Sequence, residues 1–304
     1  MFNTILVPVD RSPYSEIALA HAASMAAAFD SRLILLHVVD IVGWANPAYS
    51  VNPLDWQIRK AEAETYLQER ATKLQQQGLQ VEWHMLDGDA AEQTHEFVRA
   101  HPVDLIVLGA RGQSAVKEWR LGNVAYKLAE HARTSFLLVR VSTPGAPASQ
   151  SNALDAVSYQ RVLVPMDGSQ RAECVLPVAT ALSRKLTSHI TLAHVVRRPE
   201  MLRRTPLTQE DMGLLDAIVE SNRAEAERYL AVLKDRLPGA VEDRILIGPD
   251  AISTLYQLAL QEQIDLIVLS AHGYSNQVAW PYGSLTAGLT LHGATSVLVV
   301  QDMP

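Results

Sequence analysis

Two consecutive α/β domains, each a doubly wound parallel sheet, are the architecture this sequence predicts. Three observations carry that expectation. Short continuous apolar runs alternate with longer helical stretches, the signature of strand–helix–strand units. The whole alternation occurs twice along the chain. Between the two occurrences lies Ser142-Thr143-Pro144-Gly145-Ala146-Pro147-Ala148-Ser149-Gln150-Ser151, small, polar and proline-bearing, which reads as a linker.

Taken in order, Thr4-Ile5-Leu6-Val7-Pro8-Val9 is apolar throughout, as a parallel strand buried on both faces should be. Ser12-Pro13 then supplies an N-cap and a first-turn proline, and an alanine-rich helix runs to about Phe29. Leu33–Val38 is the second strand. Asp55–Gln77 is a long helix stopped by Gly78. Val81–Met85 alternates as a third strand, and Ala90–Ala100 is a helix closed before Pro102. Asp104–Leu108 is strand four, Gly122–His131 a helix and Phe136–Val141 strand five. Right-handed crossovers place helices on both faces of each five-stranded sheet.

The repeat fixes the domain count. Val7-Pro8-Val9-Asp10-Arg11-Ser12 recurs as Val164-Pro165-Met166-Asp167-Gly168-Ser169, and Glu16 and His37-Val38-Val39 return as Glu173 and His194-Val195-Val196, all 157 residues on. Asp104-Leu105-Ile106-Val107-Leu108 returns as Asp265-Leu266-Ile267-Val268-Leu269 at 161, so the second copy carries a few extra loop residues. The expected boundaries are 1–142 for the first domain, 143–158 for the linker and 159–304 for the second. A chain of 304 residues, 48% hydrophobic and 19% charged, suffices for two cores.

Composition also narrows function. A net charge of −7 argues against nucleic acid as a partner. The arginine-rich run from Arg197 to Arg204 reads as a solvated loop. No apolar run reaches the roughly 18–20 residues of a membrane span, and Met1-Phe2-Asn3-Thr4 runs straight into an apolar strand with no basic segment, so no signal peptide is expected. Cys174 is the only cysteine, which excludes an intrachain disulfide and a cysteine-cluster metal site. It reads as a core residue on an apolar helix. A cytoplasmic location, with no membrane partner, is the expectation.

In open α/β sheets ligands bind beyond the carboxyl ends of the strands, where strand order reverses. The residues there are Asp10 after strand one, Val38 ending strand two, and Gly109-Ala110-Arg111-Gly112 after strand four, followed nine residues later by Gly122-Asn123 at a helix start. Glycines let backbone N–H groups approach a phosphate, and the helix start aims free N–H groups and a positive dipole end at the same place. Asp10 can accept from a ribose hydroxyl or help hold Mg²⁺, as can Asp167 in the second copy. The plain alternative is that these glycines only make turns and a cap. Their recurrence in the second copy favours a phosphate cradle.

At these residues the sequence resembles the universal stress protein family, whose nucleotide-binding members carry Gly-x2-Gly-x9-Gly-[Ser/Thr] after strand four and an Asp ending strand one. The first copy reads Gly109-x2-Gly112-x9-Gly122-Asn123 and the second Ser270-x2-Gly273-x9-Gly283-Ser284. The resemblance spans both halves and implies a Rossmann-like fold of the adenine nucleotide alpha-hydrolase type, with ATP, with or without Mg²⁺, as ligand. By position, Pro8, Asp10 and Val38 would border adenine and ribose, and Gly109, Gly112, Gly122, Asn123 and Val124 would hold ribose and phosphates. Arg111, beside the loop, is a phosphate partner by charge. The matching positions in the second copy are Pro165, Asp167, Val195, Ser270, Gly273, Gly283, Ser284 and Leu285. Asn123 stands for the hydroxyl residue, and Ser270 for the first glycine. The resemblance implies a stress-response regulatory protein with a client protein. It also implies pairing of the two last strands, Phe136–Val141 and Ser296–Gln301, as an intramolecular pseudo-dimer, with further homodimerisation open. A scaffold with degenerate sites is the competing reading.

Other motifs fail. There is no Gly-x4-Gly-Lys-[Ser/Thr] and no Gly-x-Gly-x-x-Gly after strand one. His95-Glu96 lacks the second histidine of a zinc helix, and Ser114 and Ser275 lack the glycines of a nucleophile elbow. No arginine finger or water-positioning residue is assignable, so any ATP turnover should be slow. His37 and His194 read as structural. Trp280-Pro281-Tyr282 reads as a packed loop.

Overall fold

The first apolar run forms β1 (Thr4–Pro8), and it stands at the centre of its sheet because every residue in it can be buried. The computed structural model describes residues 1–39, 53–111, 121–131, 133–140, 157–199, 208–273 and 282–301. Gly112, Ser114, Ser275, Trp280, Pro281, linker residues 143–156 and most of the arginine-rich run lie outside them. The chain divides into two compact units between Ser158 and Tyr159.

In the first unit the order along the chain is β1, α1 (Pro13–Phe29), β2 (Arg32–Val39), α2 (Pro53–Gln76), β3 (Gln80–Asp87), α3 (Ala90–Ala100), β4 (Leu105–Gly109), α4 (Asn123–His131) and β5 (Ser135–Val139). The strands pair in parallel in the order β3-β2-β1-β4-β5, so the order reverses between β1 and β4. Side chains alternate faces along a strand. Leu6, Ile34 and Leu36 pack under Phe97 of α3 on one face, while their neighbours Ile5, Leu33 and Leu35 are also fully buried. Both faces are therefore covered, as the unbroken apolar runs require. Burying one such leucine contributes about 1.5–3 kcal/mol. β3 differs from its sequence pattern: Val81 to Leu86 are all half-buried rather than alternately in and out.

The second unit repeats the order with β6 (Arg161–Pro165), α5 (Leu176–Leu186), β7 (His189–Arg197), α6 (Gln209–Arg236), β8 (Val241–Gly248), α7 (Ala251–Gln261), β9 (Leu266–Ser270), α8 (Ser284–His292) and β10 (Ser296–Val300). Its strands are parallel in the order β10-β9-β6-β7-β8. Each unit is thus a five-stranded, Rossmann-like parallel sheet.

The two units start their first helix differently. In α1, the Ser12 hydroxyl accepts from Ser15 N–H, and Pro13 opens the helix directly. In the second unit a 3-10 turn, Ala172–Val175, comes first, and α5 begins only beside Pro177. Both helices end on a non-glycine residue in the left-handed region, Asp30 (φ 56°) and Thr187 (φ 53°).

One repeated acid has a framework role. The Asp104 carboxylate accepts from Asn3 N–H and Thr4 N–H (2.7 and 2.9 Å), tying the start of β4 to the start of β1. Asp265 does the same with Gln160 N–H and Arg161 N–H. Ser31 and Ser188 each donate to the carbonyl just before their unit's first strand, that of Phe2 and Tyr159 respectively, both at 2.6 Å.

Candidate functional site

The reversal of strand order between β1 and β4 opens a cleft of about 800 Å³ at the carboxyl ends of the first unit's strands. Pro8, Asp10, Val38, Gly109, Arg111, Gly122, Asn123 and Val124, distant in sequence, all line it. Gly112 falls outside the described residues.

Local bonding explains how the walls hold their shape. Asp10 follows β1, and its Oδ1 accepts from Ser12 N–H at 3.0 Å, so the carboxylate is anchored to the start of α1. Ala110 N–H donates to the Val139 carbonyl and Gly122 N–H to the Ala110 carbonyl, which closes the glycine loop onto the start of α4. Gly109 has a steric reason to be glycine. A Cβ there would stand 3.0 Å from the Arg111 carbonyl oxygen and 3.1 Å from the Tyr14 carbonyl oxygen, both backbone atoms that do not swing aside. The Arg111 guanidinium lies 5.9 Å over the Tyr14 ring.

His37 is a wall residue with a structural bond. Its Nδ1 is 2.7 Å from the Val9 carbonyl oxygen. A carbonyl only accepts, so Nδ1 carries the proton. Burial, the largest influence, lowers its pKa, the positive Arg11 lowers it further, and the Val9 bond and Asp10 only partly counter them. In the second unit the matching nitrogen, His194 Nδ1, is buried without a hydrogen-bond partner.

Several wall residues lie outside the positions the sequence singled out. Arg11, Arg59, Glu62, Asp89 and Thr94 also line the cleft. Arg59 and Glu62 come from α2, Asp89 and Thr94 from the start of α3, and no motif spacing marks them. Arg11 could have been found. Its counterpart is Gly168, and both adopt positive φ, 65° at Arg11 and 84° at Gly168. A left-handed conformation costs a residue with a side chain about 1–2 kcal/mol. Arg11 places both terminal guanidinium nitrogens 3.2 Å from Glu62 Oε2. That pair is solvent-exposed, at 37% and 53% of the two side chains, and exposed pairs contribute about 0–1 kcal/mol. The ion pair does not offset the strain.

The second unit assembles the matching positions differently. Pro165 ends β6, Val195 lies in β7, and Gly283 caps α8, with Ser284 and Leu285 as its first residues. Gly283 N–H donates to the Ala271 carbonyl at 2.8 Å, as in the first copy. Ser270 is buried, and its hydroxyl turns onto its own loop, donating to the His272 carbonyl at 2.6 Å. Asp167 Oδ1 accepts from both the N–H and the hydroxyl of Ser169. Asp167 Oδ2 lies so close to Gly273 that any Cβ there would collide with it. A carboxylate therefore leans on this glycine loop. Cys174 is half-buried, and Tyr282 is buried.

For a metal ion the fit is partial. Among the described residues no three histidine, cysteine or acidic side chains converge on a common point. Asp10 or Asp167 alone suits Mg²⁺ only when ligand phosphates complete its coordination. Among the described residues no helix is long and apolar enough to cross a membrane.

A parallel sheet built twice, with a cleft at the switch point of the first, makes this a tandem Rossmann-like protein. Comparison with known proteins narrows the class. The universal stress protein family model matches residues 1–140 and 158–301, and the chain belongs to that family. A universal stress protein of Mycobacterium tuberculosis is 26% identical, over 98% of this chain and 94% of that one. A Thermus aquaticus member is 33% identical over 141 residues, 46% of this chain and 100% of that one. Among solved structures, a universal stress protein from Archaeoglobus fulgidus superposes with a TM-score of 0.64 at 19% identity, covering 100% of both chains.

Proposed function

We propose that the first unit binds an adenine nucleotide, ATP by preference, and that this cytoplasmic stress-response protein regulates a client protein through the bound state. The carrying observation is the single cleft that gathers Asp10, Val38, the Gly109 loop and the α4 start. Its glycine wall and helix N-terminus suit phosphates, Arg111 adds positive charge, and Asp10 suits a ribose hydroxyl or a nucleotide-bound Mg²⁺. No residue is assigned to cleavage of ATP, so binding is the proposed activity and any turnover is slow. The second unit offers Pro165, Asp167, Val195, Gly273 and Gly283 to the same ligand, but with Asp167 against the loop it is the weaker site. Pairing of the two last strands belongs to the same proposal. Separately expressed halves that stay apart at high concentration would count against it.

The reading is tested by denaturing the purified protein and identifying any released nucleotide by chromatography and mass, then by titrating ATP into ligand-free protein. Gly122→Val puts a branched side chain at the start of α4. It is expected to abolish the tighter binding event while leaving the circular dichroism unchanged. An unaltered isotherm would remove Gly122 from the site. A scaffold without a ligand would show no released nucleotide and no heat.

A further inference from the structure

The geometry points to Arg11 as a ligand-charge reader in the first unit: it contacts the anionic part of the bound nucleotide and is held by Glu62 when that ligand is absent. This inference rests on the nucleotide reading of the cleft and adds a residue that neither the glycine loop nor the strand-end aspartate supplies.

Four observations carry it. Arg11 adopts a positive φ where the second unit uses Gly168, so the fold itself asks for glycine at this turn. The exposed pair with Glu62 does not offset that strain, so stability gives no reason for arginine here. Arg11 lies on the cleft wall directly after Asp10. Arg59, from α2, lines the same cleft, so positive charge reaches it from two elements besides the glycine loop. A guanidinium fork suits a phosphate at least as well as a carboxylate. An arriving phosphate can therefore replace Glu62 as the partner of Arg11 without any change in the backbone. The second unit, with Gly168, lacks this reader.

The test compares wild type, Arg11→Gly and Glu62→Gln, each carrying Gly283→Val to disable the second unit. Each is titrated calorimetrically with ATP, AMP and adenosine at low and moderate salt. Arg11→Gly is expected to bind ATP about tenfold more weakly, the loss of one charge-assisted contact, while adenosine binds as before. AMP should fall between the two. Glu62→Gln frees the guanidinium and is expected to strengthen ATP binding about two- to threefold, with a steeper salt dependence. Ligand-free Arg11→Gly should melt no lower than the wild type, which separates lost contact from lost folding. Equal losses for ATP and adenosine, or none for ATP, would overturn the role of Arg11 and leave the nucleotide reading standing. If the protein carrying only Gly283→Val binds none of the three ligands, both readings fall.

Discussion

His21 stands in α1 where the second repeat has Val178, a fully apolar core position. Burial lowers its pKa from the usual 6.5 to about 4. The folded state thus favours the neutral ring, whereas the unfolded chain protonates near 6.5. Its contribution to stability is whole above about pH 6.5 and is lost as the pH falls through about 4. The loss is on the order of 2–3 kcal/mol. His21→Val should therefore flatten the acid limb of the stability curve, read as the denaturant midpoint between pH 7 and pH 4. An unchanged limb would place the acid sensitivity elsewhere. Much of the cleft lining was legible residue by residue, since the aspartate and the glycines that follow strand ends recur in the second copy, apart from Ser270 in place of the first glycine. Arg59 and Glu62 were not, because a residue on a long helix enters a cleft through tertiary packing, which leaves no local trace.

At the scale of elements, the strands were the most legible, because a parallel strand covered on both faces must be apolar throughout. The start of the second unit's first helix was not. Ser169 repeats Ser12, yet proline sits at 177 rather than directly after it, and the chain passes through a 3-10 turn before α5 forms. The role of Asp104 and Asp265 was also hidden. The repeat displayed them, but only the structure shows them holding the backbone N–H groups that open β1 and β6. The helix ends carry a prediction. Thr187 is β-branched and left-handed, the least suitable side chain for that position. Thr187→Gly is expected to stabilise the protein by about 1 kcal/mol, raising the melting temperature by a few degrees. A fall in melting temperature would mean that the Thr187 hydroxyl, 2.7 Å from the Leu186 carbonyl oxygen, matters more than the strain.

For the whole molecule, the duplication shares a framework and differs at the cleft. Asp104 and Asp265, Ser31 and Ser188, and the bonds from Gly122 and Gly283 are common to both units. Arg11 against Gly168, Gly109 against Ser270, and the placement of Asp167 are not. Two equal sites would give two nucleotides per chain in one binding step. On the proposed reading the first unit binds first, and loss of one charge-assisted contact in the second would make its event about tenfold weaker. Calorimetry at saturating ATP is expected to return a stoichiometry near one for the tight phase. A single phase with two equivalent sites, or tight binding that survives Gly122→Val and disappears with Gly283→Val, would reverse the ranking.

Gly109 has a consequence for how the halves can change over time. The Tyr14 and Arg111 carbonyls crowd it, while Ser270 sits at the matching step of a repeat whose first helix begins differently. A serine brought to 109 would press its Cβ on those two carbonyls, whereas the Ser270 hydroxyl already has a carbonyl of its own loop to bond. The residue that suits one half therefore does not transfer to the other by a single substitution.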